Sequence, residues 1–335
     1  MDDRILLAHG SGGELSHELI ASIFMKAFRN PILNRLDDMA VLAMGGKRWA
    51  FTTDSYVVTP IFFPGGDIGK LAVCGTVNDL SMSGARPLFL SAGFILEEGF
   101  PFRDLETIVA SMQNTAEQAD VQIVTGDTKV VNRGGADRIF INTAGIGAIP
   151  EGVNISGANA RAGDKVLISG SIGDHGIAIL SSREGLEFST SLTSDCAPLN
   201  DLVARMLEVS RDIHCLRDPT RGGLSSTLNE LARQSQVSIW IEENRIPIKE
   251  EVRGACELLG LDPFILANEG KLIAIVGPES AEKILKAMRT HPLGQDAAVI
   301  GEVREEPRAK VILRTSIGST RIVDMLVGEP LPRIC

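Results

Sequence analysis

Three aspartates in the first half of the chain stand in Gly- or Thr-containing turns that are predicted to follow strands. Asp54 occurs in FTTDS, Asp79 in GTVNDLS and Asp127 in VTGDTK. Carboxylate oxygens are the ligands that Mg²⁺ prefers, and Mg²⁺ often links them to substrate phosphates. Three such carboxylates from separate turns could hold Mg²⁺ against a nucleotide triphosphate. The alternative for each aspartate alone is a helix or turn cap.

Two Gly-rich stretches could bind an anion. HGSGGE, which contains Gly10, Ser11, Gly12 and Gly13, precedes the first predicted helix, and DPTRGG places Arg221 at the start of another helix. Unpaired N–H groups at a helix start favour phosphate, and an arginine adds positive charge. Neither stretch has the lysine and glycine spacing of a P-loop or a dinucleotide-binding fingerprint. Each could also be only a tight turn.

Three further polar side chains stand beside these stretches. Lys129 follows Asp127 by two residues, Glu269 lies in NEGK before a predicted strand, and His175 lies in GDHG at a predicted helix start. Each could take part in acid–base chemistry. Each could equally be an ordinary polar residue of a loop.

The last residue, Cys335, ends the Pro-containing segment EPLPRIC. It is either the frayed end of a domain or the working thiol of a swinging arm. Eight residues of extended chain, 328–335, reach about 25 Å, enough to move such a thiol between two sites. The other four cysteines are scattered and form no C-x-x-C pair, which argues against a zinc ribbon or a disulfide framework and favours a reducing cytoplasm.

The elements that must position these residues alternate between helices and strands. The spacing of apolar residues predicts an amphipathic helix over 14–29, strands over 48–58, 87–96, 121–127 and 138–149, and helices over 68–84 and 102–119. A polar, Gly-rich break at 150–164 precedes a second series of strands and helices. This order predicts two α/β or α+β domains.

Composition narrows the possible functions. The chain has 335 residues, of which 44% are hydrophobic, so about two domains with substantial cores are expected. Its net charge of −10 argues against a nucleic acid or an anionic membrane as the main partner. No apolar run approaches the length of a membrane span, and the N-terminus does not read as a signal peptide.

The motifs together resemble those of the hydrogenase maturation factor HypE family. LAHGSGG, TTDSYVV, GTVNDLSMSGA, VTGDTKVV, GDHG, RDPTRGG, ANEGK and the terminal PRIC occur in the family's order, from residue 6 to residue 335. The terminal PRIC is the most discriminating of them. The ND and GDT sequences are shared more widely among aminoimidazole ribonucleotide synthetase-like (PurM-like) proteins.

The resemblance implies a two-domain α+β fold of the PurM-like type. Residues 1–35 would form a Gly-rich segment and helix, 36–150 an ATP-binding domain with a mixed, barrel-forming sheet, and 160–327 an α/β sandwich domain. Residues 328–335 would form a flexible tail. The family also implies a homodimer with nucleotide sites near the subunit interface.

The resemblance further implies an ATP-dependent carbamoyl dehydratase of the cytoplasm. A carbamoyltransferase, HypF, would load Cys335, and ATP with Mg²⁺ would drive dehydration of the thiocarbamate to a thiocyanate. The cyanide would pass to iron held by a HypC–HypD complex.

The same resemblance suggests a role for each candidate residue. Mg²⁺ would be held by Asp54, Asp79 and Asp127, and HGSGG would cover the phosphates, which Arg221 would also contact. Glu269 would act as the base and Lys129 would steady the developing oxyanion, with His175 as a further catalytic candidate.

Two alternative functions remain open from the sequence. Selenophosphate synthetase, a relative in the same superfamily, carries a reactive Cys or selenocysteine beside its Gly-rich N-terminal segment, and HGSGGELS contains none. A non-enzymatic thiol carrier would need no acidic turns. A prenylated anchor would need its cysteine four residues from the end.

Overall fold

The computed structural model describes residues 4–183, 191–328 and 333–335. Its strands are β1 Ala40–Met44, β2 Lys47–Tyr56, β3 Phe62–Phe63, β4 Gly66–Asp67, β5 Arg86–Glu97, β6 Gln122–Val131, β7 Ile139–Ile149, β8 Lys165–Ile168, β9 Ile213–Arg217, β10 Ser238–Glu242, β11 Ile273–Val276, β12 Ala298–Arg304, β13 Lys310–Arg314 and β14 Thr320–Ile322. Its α-helices are α1 Glu14–Leu19, α2 Met25–Phe28, α3 Ile68–Ser81, α4 Phe102–Gln118, α5 Asp174–Ser181, α6 Asn200–Val209, α7 Gly223–Ser235, α8 Glu250–Leu259 and α9 Pro278–Arg289. The α+β class expected from the sequence is confirmed.

The predicted N-terminal helix is present but interrupted. A π-helical stretch, Ile20–Phe24, separates α1 from α2. The apolar side chains along this interrupted helix are poorly covered within the chain, since Ile23 is 54% exposed and Phe28 is 64% exposed. This helix therefore presents an apolar surface rather than burying one.

The N-terminal half is built on a five-stranded sheet with the order β1-β2-β7-β5-β6. Its strands pair antiparallel except β5 and β6, which run parallel, so the sheet is mixed. One face packs on α3, whose N-terminus is capped by Asp67 through 2.7 and 3.0 Å hydrogen bonds from the Gly69 and Lys70 amides. Helix α3 is buried along most of its length, and a Cβ at Gly75 would lie 2.2 Å from the Tyr56 hydroxyl. The helix can therefore approach β2 closely enough to place polar groups at the sheet.

The C-terminal half is built on a seven-stranded sheet with the order β14-β13-β10-β12-β8-β11-β9. All its strand pairs are antiparallel except β10 with β13. The central strand β11 is buried at every position, as expected of a strand covered on both faces. Helix α7 packs beside β10 and β13, and α9 beside β8 and β12.

The structure corrects the predicted surroundings of the three aspartates. None stands in a turn after a strand, because Asp54 lies within β2, Asp79 within α3 and Asp127 within β6. Strand β6 continues to Val131 since its β-branched residues keep pairing with β5 beyond the glycine. The geometry of the candidate site therefore depends on which face of the sheet each side chain occupies.

No helix within the described ranges is both long and apolar enough to span a membrane.

Candidate functional site

A group of acidic side chains lies where α3 meets the edge of the C-terminal half. Thr52 Oγ1 donates a 2.8 Å hydrogen bond to Oδ2 of Asp79. Burial, reinforced by the charges of Asp218, Asp38 and Asp54, holds the pKa of Asp79 well above its usual range. Burial likewise raises the pKa of Asp218 to about 8, with the charge of Asp38 as the next cause. These carboxylates repel one another, and a cation among them would relieve that repulsion.

The group offers Mg²⁺ only part of a ligand set. Over residues 4–183, 191–328 and 333–335, no three His, Cys, Asp or Glu side chains are gathered into a ready-made metal site. Mg²⁺, however, usually keeps several waters and takes only one or two carboxylates beside substrate phosphates. Asp54 and Asp79 fit that requirement, because Asp79 accepts from Thr52, which lies two residues before Asp54 on the same face of β2.

Asp127 does not join this group within one chain. Asp54 pairs with Thr143, whose hydroxyl donates a 2.9 Å hydrogen bond to the Ala72 carbonyl, so Asp54 occupies the face that packs on α3. Asp127 occupies the opposite face, in a row that crosses four strands as Ser55, Asn142, Gly93 and Asp127. At about 4.8 Å per strand, Asp127 is about 14 Å from β2. The predicted magnesium site of three aspartates is therefore not formed by a single chain.

Lys129 lies beside Asp127 on the same face of the sheet. Its Nζ lies 2.7 Å from Oδ2 of Asp127, and both side chains are largely exposed. Hydrogen bonding from Lys129 lowers the pKa of Asp127. The pair lines a shallow cavity of about 280 Å³ on the outer face of the sheet, which extends to Ser55. Lys129 is thus separated from the buried groups that the sequence analysis assigned to the same reaction.

The two Gly-rich stretches lie against each other. Gly12 has φ +75°, and a Cβ there would lie 2.9 Å from Cβ of Arg221. Arg221 Nη1 donates a 3.0 Å hydrogen bond to the carbonyl of Gly10. Gly222, at φ +78°, precedes the start of α7. The segments 10–13 and 218–223 therefore form one surface, and its close packing requires glycine at position 12.

The HGSGG segment is held in place by hydrogen bonds to neighbouring residues and to Leu326. Ser11 Oγ donates to the Ala8 carbonyl at 2.9 Å, and the Gly12 amide donates to Ser16 Oγ at 2.9 Å. Gly13 precedes α1, and the Glu14 amide donates to the Leu326 carbonyl at 3.0 Å. The HGSGG segment is thus anchored to the C-terminal half of the molecule.

Glu269 is a buried carboxyl without a complete set of partners. Its residue is 3% exposed, and its Oε1 is buried with no hydrogen-bond partner. Burial, followed by the charges of nearby acidic groups, raises the pKa of Glu269 well above its usual range. Its backbone is fixed by Asp195, which accepts from the Glu269 amide at 3.1 Å and pairs with Lys271 at 3.2 Å. An ionised Glu269 would be a strong base, because taking up a proton removes a buried charge.

His175 is fully buried and binds the backbone of the C-terminus. Its Nε2 lies 2.8 Å from the carbonyl oxygen of Ile334, which can only accept, so Nε2 carries the proton. Its Nδ1 accepts from Ser194 Oγ at 2.8 Å, while the Cys196 amide donates to that hydroxyl at 3.0 Å. Burial lowers the pKa of His175, so the neutral ring is favoured. Both ring nitrogens are occupied, and His175 acts here as an anchor.

The last three residues lie alongside residues 57–59 in the antiparallel sense. The Thr59 amide donates to the Arg333 carbonyl at 3.1 Å, and the Val57 amide donates to a carboxyl oxygen of Cys335 at 3.4 Å. Arg183 Nη2 donates to the same Arg333 carbonyl at 3.2 Å. Residues 329–332 of the predicted tail lie outside the described part. Residues 333–335 are docked.

The side chain of Arg333 reinforces this docking. Its Nε donates to the Val57 carbonyl at 3.1 Å, and its Nη1 pairs with Asp137. Ile334 is 5% exposed. The sequence analysis had placed Arg333 among the discriminating PRIC residues, and its contacts in the structure fix the position of the chain end.

Cys335 itself faces a cavity of about 200 Å³. The cavity is also lined by Ser55, Val57, Gly10 and Arg221. Negative charge on Cys335 is the largest cause that raises the pKa of Arg221, and Asp54 and Glu269 act on it in the same direction. The terminal cysteine, the Gly-rich surface and the acidic groups therefore meet around Arg221.

Several residues of this site were not assigned a role from the sequence. Asp38 and Asp218 complete the acidic group, and Arg217 pairs with Asp38 at 3.0 Å. Asn78 links the halves, since its Nδ2 donates to the Glu269 carbonyl at 3.3 Å and its Oδ1 accepts from the Leu199 amide at 2.8 Å. The sequence signals for them are the adjacent acids of LDDMA, the ND of GTVNDLS and the DPTRGG stretch.

Comparison with known families matches both halves of the chain. Residues 36–149 match the AIR synthase related protein N-terminal domain, and residues 161–314 match the AIR synthase related protein C-terminal domain.

Known proteins are similar over nearly the whole chain. Carbamoyl dehydratase HypE of Bradyrhizobium diazoefficiens is 56% identical over 330 residues, which cover 98% of this chain and 95% of that protein. A crystal structure of hydrogenase maturation protein HypE in complex with ATP is 55% identical with a TM-score of 0.83, covering 99% of this chain and 100% of that one. A HypE–HypF complex contains a chain that is 52% identical with a TM-score of 0.88, covering 92% of this chain and 99% of that one.

Proposed function

Because this chain belongs to the HypE family of the AIR synthase related proteins, we propose that it is an ATP-dependent carbamoyl dehydratase of hydrogenase maturation. Cys335 carries a carbamoyl group as a thiocarbamate, and dehydration converts that group to a thiocyanate. The observation that carries this proposal is the docking of Cys335 beside Gly10 and Arg221, the arginine on which both Cys335 and Glu269 act electrostatically.

The proposed chemistry turns the amide oxygen into a leaving group. That oxygen takes the γ-phosphoryl group of ATP, which releases ADP. Loss of both N–H protons and breakage of the C–O bond then give C≡N on sulfur, and the oxygen leaves as part of inorganic phosphate. When bound, Mg²⁺ neutralises phosphate charge during the transfer.

The chain's own residues account for the remaining needs of this reaction. Asp54 and Asp79 would hold the metal, and the surface of residues 10–13 would lie over the phosphates. Arg221 would neutralise charge between the phosphate and the chain end. Glu269 would accept an N–H proton, which burial of its carboxylate favours. His175 would position Ile334 and hence the thiol, without exchanging a proton with substrate.

We propose a homodimer in which the second copy supplies Asp127 and Lys129. Their face of the five-stranded sheet also carries Phe51, Phe89 and Ile95, each more than 40% exposed. An apolar sheet face of this kind is typical of an interface between subunits. Packing two such faces together would bring the outer-face pair of one copy toward Ser55 of the other, where the cavity of Cys335 begins.

The proposed partners follow from family membership. A HypE–HypF complex among the similar structures supports HypF as the carbamoyltransferase that loads Cys335. A HypC–HypD complex holding iron is proposed to receive the cyanide. We place these exchanges in the cytoplasm, where the five cysteines of the chain would stay reduced.

The test is the intact mass of the protein after incubation with HypF and carbamoyl phosphate, before and after addition of Mg-ATP. We expect the gain of one carbamoyl group and then the loss of one water, both absent in Cys335→Ala. Loading without water loss would leave only a carbamoyl carrier. Absence of loading would refute the role of Cys335.

A further inference from the structure

The contacts of the last three residues locate the end of the chain closely. The Arg333 carbonyl accepts from the Thr59 amide, and its side chain pairs with Asp137. The carbonyl of the next residue, Ile334, accepts from His175. These contacts fix the register of the docked segment, so the α-carboxylate of Cys335 lies at the Val57 amide.

The groove at that position, which is the cavity of about 200 Å³ lined by Cys335, carries the positive charge of an arginine. Arg221 lines the cavity together with Cys335 and Val57. Its guanidinium is held in place by the Gly10 carbonyl, which lies 3.0 Å from Nη1. Backbone amides and an arginine are the groups that capture C-terminal carboxylates elsewhere in proteins.

We propose that this groove is a binding site for the terminal α-carboxylate, in which the Val57 amide and the Arg221 guanidinium recognise the chain end itself. The inference rests on the proposed function, which it deepens by naming what selects the reacting residue. A cysteine two residues after Arg333 is then not sufficient. It must also be the last residue, because only a terminal residue brings a carboxylate to Arg221.

The two contacts contribute differently to this selection. The Val57 amide would donate to a peptide carbonyl as readily as to a carboxylate oxygen, so it sets the register of the segment without distinguishing charge. Arg221 distinguishes the two, because a charge-assisted contact is stronger than a neutral one. Arg221 is exposed at the mouth of the groove. The charge should therefore change docking by only about two- to fivefold, as for other solvent-screened pairs.

The experiment measures how fast iodoacetamide alkylates Cys335, read by peptide mass spectrometry, in the full chain without ATP or HypF. Cys74, Cys196, Cys215 and Cys256 are buried and serve as internal references for unfolding. Three chains are compared: the native chain, a semisynthetic chain ending in a carboxamide, and a chain with one glycine appended after Cys335. Free peptides of sequence GEPLPRIC, as acid and amide, correct for the direct effect of the carboxylate on thiol reactivity.

We expect the amide and the glycine extension each to raise the corrected alkylation rate about two- to fivefold. In the Arg221→Gln background, amidation should then have no further effect, since the charge it removes has lost its partner. Equal protection of acid and amide ends would overturn the proposal, as would an amidation effect that persists in Arg221→Gln. Because no turnover is measured, failure of the dehydratase reaction would leave this result standing, and the reverse also holds.

Discussion

Mixing two inactive variants would show whether the site is shared between copies. Glu269 is buried beside Asn78 and Asp195, whereas Lys129 lies on the outer face of the five-stranded sheet. If each site takes Glu269 from one chain and Lys129 from its partner, Glu269→Gln and Lys129→Ala are both inactive as homodimers. A heterodimer of the two variants then contains one site with both native residues and one site with neither.

The expected recovery follows from symmetry. Random exchange of equal amounts gives about half heterodimers, each with one intact site of two, so dehydration should return to about one quarter of the wild-type rate. The assay is ATP-dependent loss of water from carbamoyl-loaded protein, after exchange of subunits in mild denaturant. The control mixes Lys129→Ala with Asp127→Asn, which lie on the same strand and should not complement each other. Activity that stays at the level of the separate variants would refute the shared site, and a monomer in sedimentation would refute it independently.

Three further outcomes follow from the same geometry. Glu269→Gln should leave carbamoyl loading intact and slow dehydration by about 10²- to 10⁴-fold, as for loss of a general base; equal loss of both steps in intact-mass kinetics would contradict the assigned role. Asp79→Asn should raise the Mg²⁺ concentration needed for ATP hydrolysis and raise the melting temperature of the metal-free protein, because it removes one of several mutually repelling buried charges; unchanged Mg²⁺ dependence would remove Asp79 from the metal site. His175 has a pKa below its ordinary value of 6.5, so its stabilising contribution is complete above that pH and is lost as the pH falls through 6.5 toward the folded-state value. The fall in melting temperature from pH 7.5 to pH 5.5 should therefore be smaller in His175→Gln, and equal slopes in the two proteins would contradict the argument.

The sequence predicted individual helices and strands better than the contacts between them. Apolar periodicity located α4 and β7 closely, because both are long and one face of each is buried. It did not locate the short strands β1, β9 and β12 to β14 or helix α8. The acidic group joins residues as distant as Asp38 and Asp218, and no local spacing encodes such a contact. The face of the sheet on which Asp127 lies likewise depends on the pairing register of β6. Because β6 side chains are exposed on both faces, their pattern does not specify that register.

Cys335 must be held at Arg221 during the reaction and must be released to a carbamoyltransferase for loading. The contacts of residues 333–335 are weak enough to allow both. Among the residues that the structure describes, hydrogen bonds to this segment include five that involve Thr59, Arg183, Arg333 itself, His175 and Val57. At roughly 1 kcal/mol each they contribute about 5 kcal/mol. Ordering three residues costs about 1–2 kcal/mol each, or about 4 kcal/mol in all. The exposed pairing of Arg333 with Asp137 adds less than about 1 kcal/mol. Burial of the Ile334 side chain adds about 2 kcal/mol. The docked state is therefore favoured by only a few kcal/mol, so the thiol can be held at Arg221 for chemistry and still be released to a carbamoyltransferase at a rate compatible with turnover. A tail anchored by several buried apolar side chains, rather than by Ile334 alone, would keep the thiol at Arg221 but would not release it for loading.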